Sequence, residues 1–323
     1  MKIQSIHLLN FMEYARVRGV PEHQLIEVIQ QPPVNWPDAN SQVAAEDFYA
    51  VVQLVNEQLK DELLGIRLGE FMQLKALGLV YQISLQATTV EEGFYYLKSY
   101  LDASLPIIQI STQADKDKAI IELWIDTSYL NENRLILENV LTIMARELRM
   151  MAGEQIAITL TSPFYHQAYP DGWQKGNRFS LTFTNTLFKA ALQDTSRWKL
   201  EILVPAYLKM IEGLKTDQSF ASQVKITMLQ MAQPELPDLE KVASTLYMTA
   251  RTLQRRLENE ATTFRQISAS LKKEISYLLI SHKQYSVADI SLVLGFSEPA
   301  SFIHSFTKWY GYSPQKYRQQ LAL

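Results

Sequence analysis

The chain has 323 residues, 47% of them hydrophobic, with 31 basic and 34 acidic side chains and no cysteine. The length calls for two domains, the absence of cysteine excludes disulfides, zinc–thiolate sites and thiol nucleophiles, and no apolar run approaches the roughly 18–20 residues of a membrane-spanning helix. Charge is unevenly placed: residues 238–323 hold 11 basic and 7 acidic groups against 20 and 27 in residues 1–237, which marks the C-terminal end as the part facing nucleic acid. The opening residues Met1–Asn10 carry one charge and no small-residue cleavage pattern, so a cytoplasmic protein is expected.

In chain order, Ile6, Leu9, Tyr14 and Val17 recur at helical spacing until Gly19-Val20-Pro21 stops the helix. A short helix follows through Ile29, and the prolines at 32, 33 and 37 make 31–37 a loop. Ala44–Leu59 resumes a helical period. Two more helices are expected over Leu74–Leu101, broken at Thr88-Thr89, where Thr89 and Glu92 form a capping box. Residues 106–112 and 119–125 read as strands flanking the turn 114–118, Arg134–Met151 as a helix, and Gln155–Leu160 and Arg178–Thr184 as two further strands. Residues 1–195 are therefore expected to form an α+β domain, about four strands with helices around them.

Residues 196–219 read as a helix and linker. Leu200, Leu203, Tyr207, Met210 and Leu214 make an apolar seam, with Pro205 placed to kink it or mark its start. That seam suits either pairing of two subunits or packing on its own domain.

From residue 220 to 323 the pattern is all-α. Ser222–Gln233 is one expected helix, ended by Pro234 and Pro237. Asp238 caps Leu239–Leu246, Tyr247-Met248 make a break, and Thr249 caps Ala250–Asn259. The arrangement returns about 48 residues on: Ser286 caps Val287–Leu294 with Asp289 completing a capping box, Gly295-Phe296 turn, and Ser297 caps Glu298–Trp309. Leu271–Ile280 connects the two. Val242, Leu246 and Met248 map onto Ile290, Leu294 and Phe296, and Leu253 and Leu257 onto Phe302 and Phe306 with one residue more. Two capped helix-turn-helix motifs in the basic third define a double-stranded DNA reader.

The second helix of each motif should show its base readers opposite its buried residues. In the first, these are Arg251, Gln254 and Arg255: arginine grips guanine O6 and N7 bidentately, and glutamine pairs with adenine N6 and N7. Thr249, Thr252 and Arg256 suit phosphates. The second offers Pro299, Ala300, Ser301 and His304, with Ser297 and Lys308 for phosphate, and Ala300 could meet a thymine methyl.

These residues carry a family resemblance. Leu239–Ala243, Met248–Leu257, Thr263–Ile267, Asp289–Phe302 and Gly311–Arg318 make the C-terminal region similar to the AraC/XylS family of bacterial transcription regulators. The resemblance implies that one monomer sets two recognition helices in successive major grooves, with base-facing positions at Arg251, Gln254, Arg255, Ala300, Ser301 and His304. Two positions depart from the pattern. Ala261 stands where glycine is usual, and a slightly different turn is expected there. His304 stands where arginine is common; it weakens the second half-site and could make its contact pH-sensitive, since unperturbed histidine titrates near about pH 6.5.

Leu77–Leu101, with Thr89–Phe94 inside it, resembles the arabinose-binding-like sensor domain of one branch of this family. That implies effector binding and dimerisation without implying arabinose. Tyr81, Tyr96, Trp124 and His166 are the candidate effector contacts, as aromatic and polar groups suited to a pocket. Expected partners are operator or promoter DNA, a second copy in a homodimer, RNA polymerase and an unidentified small-molecule effector, with no membrane, cofactor or metal. No catalytic motif stands out, so an enzyme is not expected. A DNA-binding regulator whose N-terminal domain only oligomerises is the alternative.

Overall fold

Short polar turns decide where the main sheet folds back. A computed structural model describes residues 1–31, 41–71, 87, 89–152, 156–190, 210, 214, 217, 219–232, 236–281 and 285–320. In it Asp115 Oδ1 accepts the Asp117 and Lys118 amides at 2.8 Å each. Strands β3 (Gln109–Ala114) and β4 (Lys118–Trp124) therefore pair antiparallel from Ala114↔Ala119 to Gln109↔Trp124. The same amides hold the Asp115 carboxyl below its usual range. The chain divides into two units, Met1–Ser196 with Thr245–Tyr247, and Arg197–Ser244 with Met248–Leu323.

The sheet of the first unit has five strands in the order β3-β4-β7-β5-β6, with β5 at Thr159–Ser162, β6 at Trp173–Lys175 and β7 at Phe179–Thr184. β7 lies antiparallel to both β4 and β5, and β6 joins β5 in parallel. Four of these strands are anticipated by the sequence. The fifth, β6, spans three residues, too few to show alternation. The same holds for the separate pair β1 (Lys2–Gln4) and β2 (Gln42–Ala44). β3 begins at Gln109 rather than 106, because Pro106 has no N–H for the ladder. β5 begins at Thr159 rather than Gln155 and continues to Ser162.

Helices α1 (Ser5–Val17), α2 (Glu22–Glu27), α3 (Ala45–Leu59), α4 (Leu64–Phe71), α5 (Val90–Ser104), α6 (Leu130–Ala152) and α7 (Asn185–Phe188) complete the described part of this unit. Thr89 caps α5 by accepting the Glu92 amide. The other helix expected between Leu74 and Thr88 lies outside the described residues, as does the proline loop at 32–37. α6 starts at Leu130, earlier than read, since Asn133 is tied to the Thr127 carbonyl and hydroxyl at 3.3 and 3.0 Å and accepts the Tyr49 hydroxyl at 2.9 Å. α4 lies so close to α6 that a Cβ at Gly65 would collide with the Leu135 carbonyl and one at Gly69 with Thr142. Glu138, fully buried on α6, bonds Arg134 at 3.1 Å, Ser162 Oγ at 3.0 Å and the Tyr169 hydroxyl. Burial pushes its carboxyl above the usual range.

The second unit is helical throughout its described residues. Its helices are α8 (Phe220–Met231), α9 (Leu239–Thr245), α10 (Ala250–Asn259), α11 (Phe264–Ile280), α12 (Val287–Val293), α13 (Pro299–Tyr310) and α14 (Pro314–Gln320). α11 is the hub, packed against α8, α12, α13 and α14. Three starts differ from the sequence reading. α8 begins at Phe220, because Ser219 Oγ accepts the Ser222 amide at 3.1 Å. α11 begins at Phe264 under a Thr263 cap. α13 has Glu298 at its N-cap, not Ser297, since Pro299 fits the first helical position, where no amide is needed. Of the expected seam, Met210 is helical and buried and Leu214 is helical and half-buried; Leu200, Leu203 and Tyr207 lie outside the described residues.

Candidate nucleic-acid interface

Both helix-turn-helix motifs use one backbone turn. Tyr247 and Gly295, 48 positions apart, are left-handed at φ 56° and 69°. The Met248 amide donates to Ala243 O at 2.9 Å and the Phe296 amide to Ser291 O at 3.0 Å, so the two turns share this closing bond. The second uses glycine, which has no Cβ to resist this conformation; the first puts a tyrosine there. Nothing in the sequence Tyr247-Met248 signals that state.

A side-chain cap starts the second helix of the first motif and the first helix of the second. Thr249 Oγ1 accepts the Thr252 amide at 3.2 Å and shares a 2.9 Å bond with the Thr252 hydroxyl. Both hydroxyls expected to meet phosphate thus also serve the helix terminus. In the second motif the capping box on α12 is complete: Ser286 Oγ accepts the Asp289 amide at 3.0 Å and Asp289 accepts the Ser286 amide at 2.8 Å.

Burial fixes the reading faces. Leu253 and Leu257 of α10 are fully buried, and Arg251, Gln254 and Arg255 are exposed on the other side. Phe302 and Phe306 of α13 are fully buried, opposite exposed Ala300, His304 and Lys308, while Ser301 is half-buried at the flank. Ser297 is exposed before the helix. Two exposed residues on these faces escaped the sequence reading. Glu258 follows Arg251, Gln254 and Arg255 at positions 7, 4 and 3 along the helix, and Ile303, 39% exposed, takes in α13 the place Gln254 has in α10. Continuing the three-and-four spacing would have found both. A carboxylate can accept from cytosine N4, and an isoleucine can meet a thymine methyl.

Arg256 faces elsewhere. Its guanidinium stacks 3.8 Å above the Phe220 ring of α8. Glu260, just after α10, accepts the Phe220 and Ala221 amides at 2.8 Å each, which satisfies two orphan donors of α8. Ala261 is left-handed at φ 54°, and the Thr262 amide donates to Leu257 O at 3.1 Å. The alanine therefore adopts the conformation a glycine would, rather than a different turn.

Aromatic side chains brace the second motif. Tyr310 donates to Lys273 O at 2.8 Å, its phenol pushed up to about 12 by burial. Tyr312 and Tyr317 stack with centroids 5.4 Å apart, and Arg318 Nε donates to Ile280 O at 3.1 Å.

The effector candidates of the first unit stand on separate elements. Tyr96, on α5, donates to Glu92 at 3.2 Å, a bond that raises its phenol. Trp124 ends β4 and is 40% exposed. His166, after β5, meets Tyr169 edge-on at 4.7 Å and lies 3.7 Å from Glu62. Tyr81 lies outside the described residues.

A pair of matched turns, each followed by a helix with one face buried and the other exposed, defines a double helix-turn-helix DNA-binding protein. Residues 242–320 match the family model of a helix-turn-helix domain, and residues 19–195 match the N-terminal arabinose-binding domain of AraC transcription regulators. The chain belongs to the AraC family and is a DNA-binding transcription regulator. An uncharacterized HTH-type transcriptional regulator of Mycobacterium tuberculosis, Rv1395, is 23% identical over 95% of this chain and 94% of its own. VqsM of Pseudomonas aeruginosa, an HTH-type transcriptional regulator, is 40% identical over 26% of each chain. The crystal structure of CdpR, a transcriptional regulator of the same organism, covers 95% of this chain and 98% of its own at 20% identity, with a TM-score of 0.37.

Proposed function

We propose that the chain is an effector-responsive regulator that reads a two-part operator, mainly through Arg251, Gln254 and Arg255, with Ala300, Ser301 and His304 reading the second part. The observation behind this is the coincidence of the two turns, which gives both motifs the same way of presenting a helix. Lys308 and Ser297 lie beside the second face and serve phosphate; Thr249, Thr252 and the α10 terminus serve it at the first. Successive major grooves lie about 34 Å apart, so one chain covers both half-sites.

The match of residues 19–195 to a ligand-binding domain supports control by a small molecule. The apolar seam from Leu200 to Leu214 supports a homodimer that works on promoter DNA beside RNA polymerase in the cytoplasm. Genome-wide mapping of bound DNA followed by footprinting tests the operator reading. The expected footprint has two protected segments on one face, about one helical turn apart. A single protected segment, unchanged when Ala300, Ser301 and His304 are replaced together, overturns it.

A further inference from the structure

The first unit holds a cavity of about 40 Å³ between α1, α3, α5 and α6. Its walls are mostly apolar, with Phe11, Phe48, Leu97, Leu101, Val140 and Met144 among them. Against them stand four polar side chains: His7, Asn10, Tyr100 and Asn139. Asn10 and Asn139 are only 7% and 9% exposed, and the Oδ1 of each has no hydrogen-bond partner among the described residues. A buried acceptor without a partner is costly, and folded proteins rarely keep one. Two on one cavity, carried by helices more than a hundred residues apart in sequence, mark a place built to receive donors.

The charge of the ligand follows from the lining. It contains no Asp, Glu, Lys or Arg. His7 Nε2 is bonded to Ser104 Oγ at 2.9 Å, and burial lowers its pKa to about 4, so the ring is neutral at neutral pH. An ion entering here would lose its hydration with no counter-charge in the lining to offset the loss. The volume exceeds the ~10–15 Å³ that a single water needs, so the cavity has room for more than one water or for a small organic group. A sugar meets the charge constraint but carries more hydroxyls than the four polar side chains can serve, so most of them would face hydrocarbon.

We propose that this cavity is an effector site for a small uncharged molecule, with a hydroxyl or amide donor on a short aliphatic body. An amide NH2 would donate one N–H to each of Asn10 Oδ1 and Asn139 Oδ1, a hydroxyl would donate to one of them, and the aliphatic part would lie against Leu97, Val140 and Met144. This rests on the reading of the first unit as an effector domain. It names a pocket that contains none of Tyr96, Trp124 or His166.

The test uses the full chain and four probes of one size: 1-propanol, propionamide, propionate and propylammonium, with L-arabinose as a fifth. Binding is followed by thermal shift and by ligand-observed NMR. The two neutral probes should bind saturably at roughly millimolar concentration, the range open to so few atoms. The two ions and arabinose should bind at least tenfold more weakly. Asn139→Leu should keep or raise the melting temperature while lowering affinity for propionamide at least tenfold; Asn10→Ala gives the same readout if the leucine variant does not fold. Equal binding of propionate, unchanged affinity in both variants, or a cavity that takes up water alone overturns the proposal. DNA affinity is measured separately with and without propionamide. Binding without any change in DNA affinity keeps the pocket and removes effector control through it. Absence of probe binding beside intact operator recognition removes the pocket alone.

Discussion

Tyr247 and Gly295 hold the same left-handed turn, yet the motifs around them are built from different materials. The first combines a strained tyrosine, a strained alanine at 261, aliphatic Leu253 and Leu257 inside, and a charged reading face of Arg251, Arg255 and Glu258. The second combines a relaxed glycine, a complete capping box, a core of Phe302 and Phe306 braced by tyrosines, and a reading face of Ala300, Ile303 and His304. Backbone economy and recognition chemistry are thus divided between them. The motif whose exposed face carries more groups able to pair with a base also carries the backbone strain, and the better-braced motif exposes fewer of them.

The sharpest way to break this contrast is to remove the charge from the first face. Arg251→Ala should weaken operator binding by ~1–3 kcal/mol and relax sequence preference, while His304→Ala costs less. Titrations on operator and random DNA decide it: an equal loss of Arg251→Ala on both DNAs removes it as a base reader. Next comes the turn. Gly295→Ala should destabilise by about 1 kcal/mol, because a Cβ is forced into the left-handed region. Ala261→Gly should do the reverse by roughly 0.5–1 kcal/mol, relieving the same strain less the entropy of an added glycine. Denaturant melts of the two variants should move in opposite directions; a loss of stability in Ala261→Gly would show that the first motif is not strained there. The smallest effect belongs to Lys308→Ala. It should weaken operator and random DNA alike and lower the slope of log affinity against log salt by about 1. A sequence-dependent loss would make Lys308 a reader and the second face less passive.

Much of this was legible in the chain. Thr249, Ser286 and Asp289 declare their helix starts through side-chain chemistry, and α3, β4 and β7 through periodicity. The left-handed Tyr247 and Ala261 were not legible, because the rule that links positive φ to glycine points away from both. Ser297 misled as a cap because the proline two residues later was the stronger start signal. Glu258 and Ile303 lay within reach of helical spacing. Asn10 and Asn139 did not: only the fold brings α1 and α6 to one cavity, and no local pattern ties residues that far apart.

The attachment of α10 to α8 has a mechanical meaning. Glu260 grips the first two amides of α8 while Arg256 lies flat on Phe220, so the C-terminal end of α10 is tied to the first turn of α8. The first turn of α8 and the end of α10 are therefore held together by two hydrogen bonds and a cation–ring stack. The second helix, α13, packs on α12, α11 and α14, and connects to α8 through α11. A movement of the first turn of α8 would therefore reach α10 directly and α13 only through α11.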